Sequence, residues 1–60
     1  MNIDKVKELI DLVKNSTLIK QFEIGFDKNG TDTVVLIFND NSIKKFITIE
    51  KAIAYIRKDH

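Results

Sequence analysis

Apolar residues near the start of the chain recur at the three- and four-residue spacing of an amphipathic helix. The members of this stripe are Ile3, Val6, Leu9, Ile10, Leu12 and Val13. Asn2 precedes the stripe as a candidate N-cap, and Asp4 suits the positive end of the helix dipole. The segment Asn15–Thr17 favours local side-chain hydrogen bonds over further helix. The pattern therefore predicts a first helix that stops at "NST".

Three strand-like runs follow the first helix. The run "TLIKQFEIGF" alternates between apolar and polar positions over most of its length, which is typical of a strand with one buried face. The run "TVVLIF" is rich in β-branched residues, and "SIKKFI" is the third strand. Asn29-Gly30 is a strong hairpin signal between the first two runs. Asn39–Ser42 forms a second turn of Asx and Ser residues.

A second helix ends the chain. Its apolar stripe consists of Ile49, Ala52, Ile53 and Ile56. Thr48 is the expected N-cap, and Glu50 lies near the positive end of the dipole. The element order is α-β-β-β-α. It predicts an α+β fold, a three-stranded antiparallel meander with two helices packed on one face, in a single small domain over residues 1–60.

The middle strand departs from simple alternation, because Val34–Phe38 is apolar on both faces. A two-residue loop at Asn29-Gly30 would place Val35 and Ile37 beside the apolar residues of the first strand. An odd-length loop, or a bulge at Gly25 or Gly30, would exchange the two faces. The first hairpin alone leaves both possibilities open.

The second hairpin favours one of the two faces. With Asp40-Asn41 as a two-residue loop, Phe38 opposes Ile43, and Val34 opposes Ile47. This face is the more apolar of the two, so we expect it to form the core, with an odd-length first loop or a bulge. The expected core residues of the sheet are Phe22, Ile24, Phe26, Val34, Leu36, Phe38, Ile43 and Ile47.

The same choice leaves an apolar patch on the sheet face away from the helices. A patch rimmed by polar groups is typical of an interaction surface, although antiparallel sheets also expose some Val and Ile without a function. Gln21 and Glu23 belong to the expected rim. The candidate protein-binding residues are Ile19, Val35, Ile37, Lys44 and Phe46.

Composition narrows the classes of site that the chain can build. It has 60 residues and no Cys, which excludes disulfides and thiolate metal sites. A chain of this size buries only about 60% of its unfolded surface, so oligomerisation or very good packing must compensate. The one histidine is His60, at a terminus that is expected to fray. We therefore expect no metal and no cofactor.

The N-terminal segment and the residue usage suggest a cellular compartment and a source organism. The start "MNIDKVKELI" has no apolar signal-peptide region, and no apolar run approaches the length of a membrane span. We expect a cytoplasmic protein with no membrane partner. Ile, Lys and Asn have AT-rich codons, and their abundance suggests a low-GC bacterium, its phage or its plasmid.

No catalytic constellation is present in the sequence. A Ser-His-acid set would depend on His60. Asp27 and Asp32 flank a turn and are read as solvated turn residues rather than a carboxylate pair. The segment "GFDKNG" lacks the Gly-Lys-Ser/Thr ending of a phosphate loop and joins two strands. We expect no enzyme and no small-molecule substrate.

The element order across the whole chain resembles that of double-stranded-RNA-binding domains, which read A-form shape partly through a basic start of their second helix. The resemblance implies duplex RNA as a partner. The corresponding segment here, "TIEKAIAY", lacks the family's run of lysines, and the net charge of +1 gives no electrostatic argument for nucleic acid. Edge-strand lysines also deter aggregation without binding anything. The candidate nucleic-acid residues are Lys44, Lys45, Lys51, Arg57 and Lys58.

A second resemblance is local. The segment "IDKVKELIDLVKNSTLIKQFEI" resembles the leader that precedes the biotinyl domain of acetyl-CoA carboxylase carrier proteins, over about a third of the chain. The Met-Lys pair that would carry biotin is absent, so no function follows. The sequence as a whole favours a small non-enzymatic protein-binding module, a regulator or inhibitor from a phage or mobile element. Its partner is a protein target or a second copy, and a nucleic-acid-binding regulator is the alternative.

Overall fold

The computed structural model describes residues 3–26, 28–30 and 32–58. The elements are α1 (Ile3–Lys14), β1 (Ile19–Phe26), β2 (Asp32–Phe38), β3 (Ile43–Phe46) and α2 (Ile49–Lys58). The three strands form one antiparallel sheet in the order β1-β2-β3, and both helices pack on one face of it. The predicted α-β-β-β-α fold is confirmed.

The core lies between the sheet and the two helices. Its buried members are Leu9, Ile19, Val34, Leu36, Ile49, Ala52, Ile53 and Ile56. The apolar stripe of α2 is buried along its whole length, as its spacing predicts. An ion pair between Arg57 and Glu8 joins the two helices.

Side-chain hydrogen bonds mark the helix ends. The predicted cap at Asn2 lies outside the described residues. After Lys14, the hydroxyl oxygen of Ser16 accepts hydrogen bonds from the backbone N–H groups of Leu18 and Ile19, at 3.1 and 3.2 Å. The "NST" segment therefore ends α1 as predicted. The hydroxyl of Thr48 accepts from the N–H of Lys51 at 3.2 Å, which confirms the cap of α2.

The first hairpin has the register that the core requires. Phe26 pairs with Asp32, so residues 27–31 connect β1 to β2 and the loop has an odd length. Further along, Ile24 pairs with Val34. Gly30 has φ 80°, a conformation that glycine adopts without steric cost. Val34 and its neighbour two positions on, Leu36, are fully buried, so the predicted core face of β2 is confirmed.

A bulge near the start of β1 changes the direction of one predicted patch residue. Ile19 pairs with Phe38 and Gln21 pairs with Ile37, which leaves Lys20 as the extra residue. One extra residue reverses the facing of everything before it. Ile19 is therefore only 7% exposed, and its predicted position on the far face is wrong.

The second hairpin has a three-residue loop rather than the predicted two-residue loop. The N–H of Phe38 donates to the carbonyl of Ser42 at 2.8 Å, which encloses Asn39–Asn41. Asn41 has φ 70°, the left-handed conformation that Asn tolerates better than most residues. A turn followed by one left-handed residue is a common way to close a three-residue hairpin.

This loop shifts β3 by one residue against β2 and exchanges its faces. Val34 now pairs with Phe46, and Leu36 pairs with Lys44. Phe46 and Lys44 therefore face the helices, so their predicted place on the far face is wrong. Ile43 does not enter the core.

Three residues that the sequence places in the core are exposed. Ile43 and Ile47 are 68% and 60% exposed because the register of β3 turns them away from the helices. Phe26 is 65% exposed at the last position of β1, beside the connection to β2, and it is not part of the cluster that packs under the helices.

Candidate functional site

The sheet has one face without a covering layer among the described residues. We call it the open face. Its residues are Gln21, Glu23 and Gly25 from β1, Thr33, Val35 and Ile37 from β2, and Ile43 and Lys45 from β3. They share this face because the facing residues alternate along each strand, opposite to the buried Val34 and Leu36.

The apolar residues of the open face are adjacent. Ile37 pairs with Ile43 across β2 and β3, and Val35 lies two positions away on β2. Val35 and Ile37 lie in the central strand and are half-buried between the side chains of the two outer strands. Ile43 lies on an edge strand and is exposed. Ile47, one residue beyond β3, adds a further exposed side chain next to this group. The result is a continuous aliphatic area on a surface that faces solvent.

Charged residues flank this area at both edges of the sheet. Glu23 pairs with Val35, and Val35 pairs with Lys45, so the three form one row across the strands. The carboxylate stands on β1 and the ammonium group on β3. Both side chains are exposed.

Two of the five candidate protein-binding residues, Val35 and Ile37, lie on the open face. Sequence reasoning missed Ile43, which is the most exposed member of the aliphatic area. The missed signal is the Asn at position 41, since a left-handed Asn after a turn indicates a three-residue loop. With that loop, alternation along β3 would have placed Ile43 and Lys45 on this face.

The other side of β3 forms an aromatic contact with α2. The rings of Phe46 and Tyr55 lie with centroids 5.2 Å apart, and Nζ of Lys44 lies 5.1 Å from the centroid of the Tyr55 ring. A cation at this distance from a ring contributes about 0.5–1 kcal/mol at an exposed site. Lys44 therefore has a packing role on the helix side.

The five candidate nucleic-acid residues do not form one surface. Lys44 and Lys45 point to opposite faces of β3, and Arg57 is in an ion pair with Glu8. Lys51 and Lys58 are exposed on α2, four residues before and three after Tyr55, on the same side of the helix. Three of the five cations, Lys44 and these two, therefore lie around Tyr55.

An apolar groove lies beside the start of β1. It has a volume of about 180 Å³ and is lined mainly by Leu18, Phe38 and Tyr55. A shallower extension of about 430 Å³ reaches the second turn at Asp40. Every buried polar side-chain atom of the described residues has a hydrogen-bond partner. The described lining of this groove therefore offers a ligand no buried, unpaired polar side-chain atom.

The second turn holds a carboxylate whose pKa is lowered by its hydrogen bonds. Hydrogen bonds from Ser42 lower the pKa of Asp40, the side-chain bond most and the backbone bond next. The Ser42 hydroxyl donates to the carboxylate at 2.5 Å and the Ser42 N–H donates at 2.9 Å. These bonds stabilise the carboxylate form and hold the loop that sets the register of β3.

Residues 3–26, 28–30 and 32–58 contain no group of three or more His, Cys, Asp or Glu side chains placed to hold a metal ion. Neither α1 nor α2, the helices of these ranges, is long and apolar enough to cross a bilayer.

Comparisons with protein-family models, with curated proteins and with solved structures find no match for this chain. Function is therefore inferred from the surface geometry alone.

Proposed function

We propose that the protein is a small non-enzymatic binding module whose open face docks against a protein surface. The observation that supports this is the aliphatic area of Val35, Ile37 and Ile43 on the side of the sheet that the helices leave uncovered. Contiguous apolar area with a polar rim is typical of interaction sites.

Burial of this area gives a modest driving force. Covering the three aliphatic side chains contributes about 3–5 kcal/mol at the usual value per unit of apolar area. Association costs about 4 kcal/mol or more in lost translation and rotation, so the rim must contribute too. Glu23 and Lys45 are the charged rim groups that a partner would meet.

The size of the protein suits stoichiometric binding. A standard interface covers about 800 Å² on each partner, roughly a fifth of the 4354 Å² surface of this chain. One broad face can supply that area. We propose that the protein is a regulator or inhibitor from a bacterial phage or mobile element, and that it acts in the cytoplasm.

Paired capture tests the proposal. Tagged wild type and a Val35→Ser/Ile43→Ser variant are used side by side in extracts of the producing cells, and captured proteins are compared by mass spectrometry. Leu18→Ser is the matched control, because Leu18 is 62% exposed but lies away from the open face. Circular dichroism confirms that each variant is folded.

The expected result is a protein captured by the wild type and by the Leu18 variant, and lost with the Val35/Ile43 variant. The captured protein can be an untagged second copy of the chain. Equal capture by all three would overturn the proposal, because the aliphatic area would then contribute nothing to binding.

Nucleic-acid binding is the second candidate, favoured by the position of Lys44, Lys51 and Lys58 around Tyr55. A binding series with duplex RNA and duplex DNA at increasing salt tests it, since phosphate contacts weaken steeply with salt. Lys51→Glu/Lys58→Glu would abolish such binding, and Val35→Ser/Ile43→Ser would leave it intact. No binding at low salt would exclude this candidate.

A further inference from the structure

We propose that the partner of the open face is a second copy of this chain, related by a two-fold axis that runs parallel to β2 above Val35. This inference rests on the proposed function, because it assigns a partner to the same face. Two observations carry it: the order of charges across the sheet and the size of the area to be covered.

The first observation is the row Glu23–Val35–Lys45. The register places these residues side by side on three adjacent strands, with Val35 in the middle. Strands are spaced about 5 Å apart, so the two charged residues stand about 10 Å from one another. Among the described residues, the ion pairs join Lys5 or Arg57 to Glu8, and neither Glu23 nor Lys45 takes part.

A two-fold axis along β2 makes this row complementary to itself. The axis lays β1 of one copy over β3 of the other, so Glu23 meets the partner's Lys45 and Lys45 meets the partner's Glu23. Val35 then lies on the partner's Val35 at the centre. In an isologous interface of this kind each contact away from the axis occurs twice.

The other simple arrangement is disfavoured by charge. An axis in the plane of the interface but perpendicular to the strands lays β1 over β1 and β3 over β3. Glu23 would then meet the partner's Glu23, and Lys45 would meet the partner's Lys45. Like charges placed together across an interface are costly and suppress that mode of pairing.

The parallel axis also agrees with how sheets pack. Two sheets packed face to face keep their strand directions within about 30° at a separation of about 10 Å. The product is a four-layer assembly, with two sheets inside and the helices of each copy outside. Ile37 lies on the partner's Ile37 near the axis, and Ile43 covers the aliphatic part of the partner's Gln21.

The size of the surface allows such a contact. A standard interface of about 800 Å² per partner is roughly a fifth of the 4354 Å² surface of the chain. The apolar part is limited to a few side chains, so we expect a weak dimer with a dissociation constant from about ten to a few hundred micromolar. Such burial compensates for the small core of a 60-residue chain.

A charge-exchange series tests the arrangement by sedimentation velocity over a range of concentrations at low salt. Glu23→Lys and Lys45→Glu alone each replace two attractive contacts by two repulsive ones, and each should weaken dimerisation about tenfold. The double variant Glu23→Lys/Lys45→Glu should restore the wild-type dissociation constant. An equimolar mixture of the two single variants should form a heterodimer, because each charge then meets its opposite.

Both residues are exposed, so the variants are expected to fold, and circular dichroism checks this for each one. A wild type that remains monomeric at millimolar concentration would overturn the inference. A dimer in which the double variant and the mixed singles show no recovery would overturn it as well.

These failures are distinct from failure of the proposed function. A monomeric wild type that still loses a captured protein when Val35 and Ile43 are changed retains the open face as a docking site for another protein. Loss of both effects removes the docking site itself.

Discussion

The rings of Phe46 and Tyr55 meet on the helix side of the sheet, with centroids 5.2 Å apart and planes inclined by 51°. Tilted pairs at this separation are favourable beyond the area that they bury. The contact anchors β3 to α2. It also fixes which residues of β3 point outward, because the neighbours of an inward residue on a strand face the other way. Ile43 and Lys45 belong to that outward set.

Phe46 and Ile43 should therefore differ sharply in their effect on stability. Phe46→Ala removes a half-buried ring from the core and should lower the free energy of unfolding by about 2–3 kcal/mol. Ile43→Ala removes exposed surface and should change it by less than about 0.5 kcal/mol. Urea denaturation at low protein concentration measures both, so that self-association does not contribute. Equal losses, or a larger loss at Ile43, would show that the register of β3 is wrong.

The conformation of Asn41 should determine which substitutions the second turn accepts. At φ 70° a β-branched residue is strained, so Asn41→Val should cost about 1–2 kcal/mol. Asn41→Gly should stay within about 0.5 kcal/mol of the wild type, since glycine occupies this region freely. The same denaturation experiment compares the two. A tolerated valine together with a harmful glycine would be incompatible with a left-handed residue at this position.

Asp40 should make the stability of the protein sensitive to acid. Its pKa is lowered in the folded state, chiefly by the hydrogen bond from the Ser42 hydroxyl. A group of this kind contributes stability that is present above its unfolded pKa and is lost as the pH falls through its folded pKa. An NMR titration should therefore find the Asp40 carboxyl below the ordinary range for aspartate.

Ser42→Ala separates this cause from others. It removes the largest of the contributions, so the pKa of Asp40 should rise toward its ordinary range and the acid sensitivity should decrease. Asp40→Asn should remove the contribution of this group altogether. An Asp40 pKa that does not respond to Ser42→Ala would contradict the hydrogen-bond geometry of the turn.

The element order could be predicted from the sequence because it depends on many residues at once. The helical stripes each have four or more members. A single unusual residue does not change such a pattern. Propensity and periodicity were sufficient for the architecture. The buried face of β2, with Val34 and Leu36, was also predicted correctly, but from a two-residue second loop that the structure does not have.

The composition of the open face could not be predicted in the same way. Side-chain direction in a strand has a period of two, so one extra residue reverses a whole segment. The bulge at Lys20 turned Ile19 inward, and the three-residue loop that ends at Asn41 turned Phe46 inward and Ile43 outward. Each of these depends on the conformation of one residue, which the apolar pattern does not report.

The middle strand β2 is apolar on both faces because each face has its own role. Val34 and Leu36 supply the floor of the core under the helices, while Val35 and Ile37 form the centre of the open face. This second pair is the main apolar content of the proposed interface.

A photo-crosslinking amino acid tests the role of the open face most directly. It is placed at position 43 in one variant and at position 18 in another, since Ile43 and Leu18 are similarly exposed but lie on different surfaces. After irradiation of the producing cells, the mass of each product shows whether the partner is a second copy or another protein. The account predicts a discrete product from position 43 and none from position 18. No product from position 43, or an equal yield from both positions, would contradict it.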